Sequence, residues 1–232
     1  MSGAVDLERD AEAIAVARAR MIHLLRANIG DPRVVDAMAA VPRERFVPPH
    51  LRLRAYDDSA LPIAADQTIS QPMMVALMLE AAQLCPEDRA LEVGTGSGYG
   101  AAVLSRLVRE VATVERVRVL AVAARVLLRD LGYENVSVFD AGEMLGWPER
   151  SPYDAIIVTA GAPHVPRSLL DQLADGGRLV LPVGTLRSQE LVRATKTPHG
   201  VDLARLGQCA FVPLIGEEAW EDNGSSMRMR EP

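Results

Sequence analysis

Cysteine is nearly absent from this chain. Only Cys85 and Cys209 occur among 232 residues. One pair without metal-ligand spacing establishes neither a disulfide framework nor a metal site. Both sit among apolar neighbours, so they are expected to be reduced core residues of a cytoplasmic protein. Long hydrophobic runs are missing too: no stretch approaches the roughly 18 residues that a membrane span needs. The opening "MSGAVDLERDAEAIAVARAR" alternates charge with alanine and lacks a signal-peptide core. Nor is there an excess of positive charge. A formal net charge of −6 argues against a large electrostatic footprint for nucleic acid. What remains, 49% hydrophobic and 24% charged, is an ordinary globular composition. The length suits one large α/β domain and is short for two.

Apolar positions Ile14, Val16, Ala17, Met21, Leu24 and Leu25 predict a helix over 5–28. Gly30 and Pro32 end it, and Asp31-Pro32 opens a shorter helix, "PRVVDAMAAV". Prolines then keep 42–71 irregular, a length that is uncommon unless it does something. Pro72 starts the apolar helix "PMMVALMLEAAQL". Beyond it, strands are predicted at 89–93, 110–115, 135–139, 153–159 and 177–183, with helices at 98–108, 117–131 and 166–174. That order implies a parallel sheet with helices on both faces. "QELVRATK" and "LARLGQCAFVPL" read as paired β segments turning at "TPHG". The fold class is therefore α/β and Rossmann-like, with a central, mostly parallel seven-stranded sheet and one reversed strand near its C-terminal end. No repeat or linker divides the chain.

The stretch "LEVGTGSGYG" (91–100) places a strand, a glycine turn and a helix in sequence. Gly94, Gly96 and Gly98 follow G-x-G-x-G, but Tyr99 stands where a dinucleotide fingerprint wants a small residue for close helix–strand packing. Glu115 ends the next strand, where a carboxylate can accept from both ribose hydroxyls. Glu92 precedes the turn and completes E-x-G-x-G-x-G. A ligand-free tight turn is the plainer reading, but an acid at each of two strand ends favours a cofactor. The pattern resembles the S-adenosylmethionine-dependent methyltransferases.

Further blocks narrow the resemblance. "VPRERFVPP", "AYDDSALPI", "QTISQP", "LEVGTGSGYGAAVLSRLV", "LGYENVSV", "GWPE", "YDAIIVTAGAPHVP", "QLADGGRLVLPVG" and "FVPLIGEEAW" together resemble the protein-L-isoaspartate O-methyltransferase family, from about residue 20 to 220. The resemblance implies a class I methyltransferase fold with S-adenosyl-L-methionine as cofactor and S-adenosyl-L-homocysteine as product. It implies methylation of the free carboxylate of L-isoaspartyl residues in damaged proteins and peptides, opening a repair route through a succinimide. It makes Ser70 the catalytic residue. It sets the cofactor against Thr68, Ile69, Ser70, Glu92, Gly94, Thr95, Gly96, Ser97, Gly98, Glu115, Arg116, Gly142, Glu143 and Thr159, with no metal. Residues 1–75 would carry N-terminal helices and a substrate-capping segment, 76–218 the cofactor-binding core, and 219–232 a flexible tail of one methyltransferase domain. A cytoplasmic monomer is expected, whose partners are isoaspartyl proteins and peptides, with no nucleic acid and no membrane.

The chemistry suits these residues. A carboxylate with a pKa of about 3.5 is already ionised at pH 7, so it needs alignment and dehydration, not a base. Ser70 is read as orienting that carboxylate, since no histidine lies in a nucleophile motif. Thr68 and Ser70 could instead cap the helix that Pro72 starts. Two positions depart from the family pattern. Asp66 replaces a common glycine, and Ala141-Gly142-Glu143 replaces Gly-Asp-Gly, so Asp140 or Glu143 would have to serve the adenosine end. These departures leave room for methylation of one aspartate in a dedicated peptide partner, though such an enzyme would be expected to carry an added recognition region. A cofactor-binding scaffold without turnover is the other alternative, and the intact "QTISQP" argues against it. His164 is expected to be an exposed loop residue, Met73 and Met74 helix packing, and Trp147 and Trp220 loop anchors.

Overall fold

Asp31 opens the second helix as its sequence predicts. The computed structural model describes residues 2–221, beginning with α1 (Ser2–Asn28) and α2 (Pro32–Ala40). The Asp31 side chain accepts from the Arg33 amide, and Pro32 follows at a position that has no use for an amide proton. The segment 42–71 is more ordered than its prolines suggest. It holds two 3-10 turns, Arg43–Arg45 and Pro49–Arg54, and a small antiparallel hairpin of β1 (Leu61–Pro62) and β2 (Thr68–Ile69). Next comes α3 (Pro72–Ala81). It stops short of the predicted 84 because Gln83 turns to a φ of 49°.

The alternation that follows is β3 (Arg89–Val93), α4 (Tyr99–Leu104), β4 (Glu110–Glu115), α5 (Arg118–Asp130), β5 (Val136–Asp140), β6 (Tyr153–Val158), α6 (Arg167–Asp171), β7 (Leu173–Gly184), β8 (Gln189–Thr197) and β9 (Gly200–Cys209). One sheet takes the order β5-β4-β3-β6-β7-β8-β9. The pairs from β5 across to β7 are parallel, and β8 is antiparallel to both its neighbours. It is the single reversed strand. The helix predicted over 166–174 ends early because β7 already pairs at Leu173 with Tyr153. A register shift then carries β7 past its "ADGG", so the strand predicted from 177 starts four residues earlier.

Alternate strand residues feed two cores. Ala90 of β3 and Ala155 and Ile157 of β6 join one core, with Met21 and Leu25 of α1, Met38 of α2 and Leu128 of α5. Leu91 and Val93 of β3 and Ile156 and Val158 of β6 join the other, under Leu169 of α6 and the loop residues Leu145 and Leu214. Strands buried on both faces explain why "ALEV" and "AIIV" read as apolar runs rather than alternations.

The cysteines are not the core pair expected. Cys85 is exposed and Cys209 half-buried, both as free thiols. Cys85 sits in the turn between α3 and β3, where its amide is held by the Asp88 carboxylate at 3.0 Å. The other minor expectations hold. His164 is exposed, Met73 and Met74 pack on the first core, Trp147 stacks on Phe139, and the Trp220 indole donates to the Gly161 carbonyl. The tail expected at 219–232 lies, beyond residue 221, outside the described residues. Among the described residues no helix is long and apolar enough to cross a membrane.

Candidate active site

Four strand ends meet on one rim of the sheet. Gly94, just past β3, has φ of 101° and donates its amide to the Val114 carbonyl at 2.9 Å. Thr159, just past β6, donates its amide to the Val93 carbonyl at 3.0 Å and its hydroxyl to the Gly94 carbonyl at 2.8 Å. A Cβ on Gly94 would overlap Thr159 Oγ1. The rim turns outward in opposite directions from β3 and β6, and in open α/β sheets such a switch point is where ligands bind. At the end of β4, Glu115 is buried. Its Oε2 accepts from the Gly96 amide and its Oε1 from the Val117 amide, each at 2.8 Å. Each oxygen keeps a second acceptor direction. Arg116 follows it, exposed. Gly98 takes φ of 89° and donates to the Thr95 carbonyl before α4 begins, and the Ser97 hydroxyl accepts weakly from the Tyr99 amide at 3.4 Å.

Glu92 lies beneath this turn, 2% exposed. The Thr113 hydroxyl donates to its Oε2 at 2.7 Å, so the Thr95 hydroxyl must supply the proton of the 2.6 Å contact with Thr113. Burial pushes the Glu92 carboxyl up to about 8; the Thr113 bond opposes the shift and the Glu115 charge adds to it. Gly100, in the first turn of α4, faces this acid so closely that a Cβ would overlap Oε1. The close helix–strand approach that Tyr99 argued against is thus made one residue later. Tyr99 is itself buried, edge-on to Phe46 with ring centroids 5.7 Å apart.

A raised carboxyl has a defined signature in stability. The folded chain keeps a proton that the unfolded chain loses above pH 4.5, the ordinary glutamate value. Stability is therefore complete below that pH and is lost as pH rises through about 8, by at most about 1.4 kcal/mol per pH unit. Glu92→Gln mimics the neutral acid and removes the titration. In urea unfolding, its advantage over wild type is expected to grow between pH 5 and 8 and then level off. An advantage that did not vary with pH would assign the titration elsewhere.

The β1–β2 hairpin closes over the turn: Ile63 Cδ1 lies 3.7 Å from where a Cβ on Gly96 would stand. Thr68 is exposed, Ile69 buried and Ser70 half-buried at the exit of the hairpin. Neither hydroxyl caps α3. Its N-cap is Gln71, without a side-chain bond, and the Met73 amide is taken instead by Asp58 Oδ1 at 2.9 Å. Asp66, at the tip of the hairpin with φ of 55°, is exposed, which turns its charge outward. At the third strand end, Ala141 donates its amide to the Glu115 carbonyl at 2.9 Å. A Cβ on Gly142 would meet nothing within 4 Å. Asp140 lies 3.7 Å from Arg125, and Glu143 is exposed.

The sequence-predicted residues are thus brought to one rim, at the ends of β3 to β6 and beneath β1–β2. Three that matter to its geometry were missed. Gly100 was visible as a fourth glycine at the same spacing. Thr113 sits two residues before Glu115, on the same side of β4. Arg43, buried in the proline-rich segment, gave no local signal; its role is taken up below.

Residues 17–219 match the family model described as protein-L-isoaspartate(D-aspartate) O-methyltransferase. A protein-L-isoaspartate O-methyltransferase from Roseiflexus castenholzii is 54% identical over 203 residues, 88% of this chain and 93% of its own. A solved protein-L-isoaspartate O-methyltransferase superposes with a TM-score of 0.78 at 31% identity, over 87% of this chain and 67% of that one. A Plasmodium falciparum chain assigned the same activity, solved with S-adenosyl-L-homocysteine, gives 0.72 at 27% identity, over 83% and 95%.

Proposed function

The chain belongs to the protein-L-isoaspartate O-methyltransferase family, and from that premise we propose how its own residues carry the family's reaction. The enzyme methylates the free carboxylate of L-isoaspartyl residues using S-adenosyl-L-methionine, and the ester then collapses to a succinimide that reopens partly to aspartate. The cofactor supplies a methyl group carried on a sulfonium.

The rim suits that cofactor. Glu115 keeps acceptor directions free above two backbone donors, and the space beside Gly142 is open. The backbone of Gly94, Thr95, Gly96, Ser97 and Gly98, with Glu92 beneath, would hold the methionine end. Glu115 and Arg116 would take the ribose, Gly142 and Glu143 the adenine. Thr68, Ile69, Ser70 and Thr159 would surround the methyl end. The acceptor carboxylate arrives ionised, so no proton has to move before transfer. The hairpin sheds water from it, and the Ser70 hydroxyl donates to one oxygen and turns the other toward the methyl group.

The observation that carries this assignment is the position of Ser70, at the exit of a hairpin packed on the glycine turn and free of any capping duty. Ser70→Ala is expected to lower turnover at least about tenfold while S-adenosylhomocysteine affinity changes less than about twofold. Full activity in the variant would remove Ser70 from the site. We further read the chain as one methyltransferase domain, with 1–75 capping, 76–218 binding the cofactor and 219–232 a tail. It would act as a cytoplasmic monomer. The two free thiols, one of them exposed, suit a reducing compartment.

A further inference from the structure

Arg43 has no exposed surface, an unusual place for a guanidinium. Its Nε donates to the Ala55 carbonyl at 2.6 Å and its Nη2 to the Ser70 carbonyl at 2.7 Å, residues 12 and 27 positions away. Its Cζ lies 4.6 Å from the centroid of the Tyr99 ring, the first residue of α4. Nη1 has no hydrogen-bond partner among the described residues, and neither has the Tyr99 hydroxyl. Both bonds of Arg43 go to neutral carbonyls, and among the described residues no carboxylate forms an ion pair with it, although the Asp58 carboxylate acts on it from further off. A buried cation left in this state is costly unless something else uses its charge.

We infer that Arg43 is a positioning residue for the methyl acceptor: it ties Ser70 to the glycine turn and gives the acceptor site its positive charge. One guanidinium joins three separate pieces of the rim. The Ala55 carbonyl belongs to the segment before the hairpin, the Ser70 carbonyl to its exit, and Tyr99 to the helix that the glycine turn starts. Fixing the Ser70 carbonyl fixes the backbone that carries its hydroxyl. Its charge, only partly offset by the more distant Asp58, favours an incoming carboxylate through a water-poor interior, where charge acts more strongly than in solvent. Arg43 touches neither substrate nor cofactor in this arrangement. Lysine could restore the charge but not the planar fork that reaches two carbonyls at once.

The inference rests on the role proposed for Ser70, and its test separates the two. Wild type, Arg43→Lys and Arg43→Met are compared as full chains for S-adenosylhomocysteine affinity and for kcat and KM on an isoaspartyl peptide. Cofactor-product affinity should stay within about twofold. In Arg43→Met, kcat should fall and KM should rise, each about tenfold or more. Arg43→Lys should bring KM back to within about threefold of wild type at the acid end of a pH series, where the buried ammonium is protonated, while kcat stays low at every pH, because charge returns there and the tether does not. Unchanged kinetics in Arg43→Met, a loss of product affinity in step with turnover, or a lysine variant that recovers neither constant at any pH would overturn the inference. If the methionine variant does not fold, the split between kcat and KM in the lysine variant decides alone. If wild type leaves the peptide unmethylated, the functional reading fails, and peptide affinity for the S-adenosylhomocysteine-loaded proteins decides for Arg43 separately.

Discussion

An isoaspartyl peptide is expected to be methylated at least about a hundredfold faster than its aspartyl twin, because small misplacements of a reacting atom cost about that much. The two peptides have the same atoms and the same charge. In the isoaspartyl form the chain runs on through the side chain, and the free carboxylate stands on a short arm. In the aspartyl form the carboxylate reaches about one methylene further. The hairpin cannot follow that difference cheaply. Ile63 is packed over Gly96, Ile69 is buried, and the Ser70 backbone is bonded to a buried arginine. Because the acceptor is already ionised, the rate at saturating cofactor should be nearly flat from pH 6 to 8. The measurement is methyl ester formation from labelled S-adenosylmethionine on the paired peptides, compared as kcat/KM. A ratio near one would mean that the site does not read the backbone isomer, and a dedicated aspartyl partner would become the better substrate.

Gly94→Ala should be the most damaging single methyl group in the rim. The position needs a φ of 101°, which costs a residue with a side chain about 1–3 kcal/mol. The new Cβ would also overlap Thr159 Oγ1, at the point where β3 and β6 are joined by the bond from Thr159 to Gly94, and overpacking adds about 1–3 kcal/mol. The expected total is about 2–6 kcal/mol in urea unfolding, with S-adenosylhomocysteine affinity reduced at least about tenfold. Gly142→Ala is the control. A Cβ there would meet nothing within 4 Å, so stability should stay within about 0.5 kcal/mol. A loss in Gly94→Ala as small as that expected for Gly142→Ala would mean that the turn tolerates a side chain and that its geometry is not what holds the rim.

Much of this rim was legible before the structure because its signals are local. A strand, three spaced glycines and a helix occupy neighbouring positions, and an acid at a strand end needs only the strand to be found. The reversed β8 and its hairpin with β9 were legible for the same reason. What escaped depends on partners far along the chain. Arg43 acquires its meaning from Ala55, Ser70 and Tyr99, and nothing in "VPRERFVPP" marks an arginine for burial. The cap of α3 comes from Asp58 rather than from the nearby hydroxyls. Cys85 has apolar neighbours in sequence, but a turn points it to solvent. The early start of β7 follows from its pairing with Tyr153, which outweighs the breaking tendency of "ADGG".

The strand order also has a consequence for the time course of folding. β8 and β9 pair from Thr197 opposite Gly200 outward, a hairpin whose ends are never far apart, and such elements zip within microseconds to tens of microseconds. The pairing of β3 with β6 sets Ala90 beside Ala155, so three crossovers must be enclosed before its first hydrogen bond can form. Contacts of that range are slow because loop closure precedes any reward. The glycine turn and Thr159 meet at that late seam. A full-length, partly folded chain would therefore already hold its antiparallel edge while still unable to grip the methyl donor, and donor binding would report completion of the whole sheet.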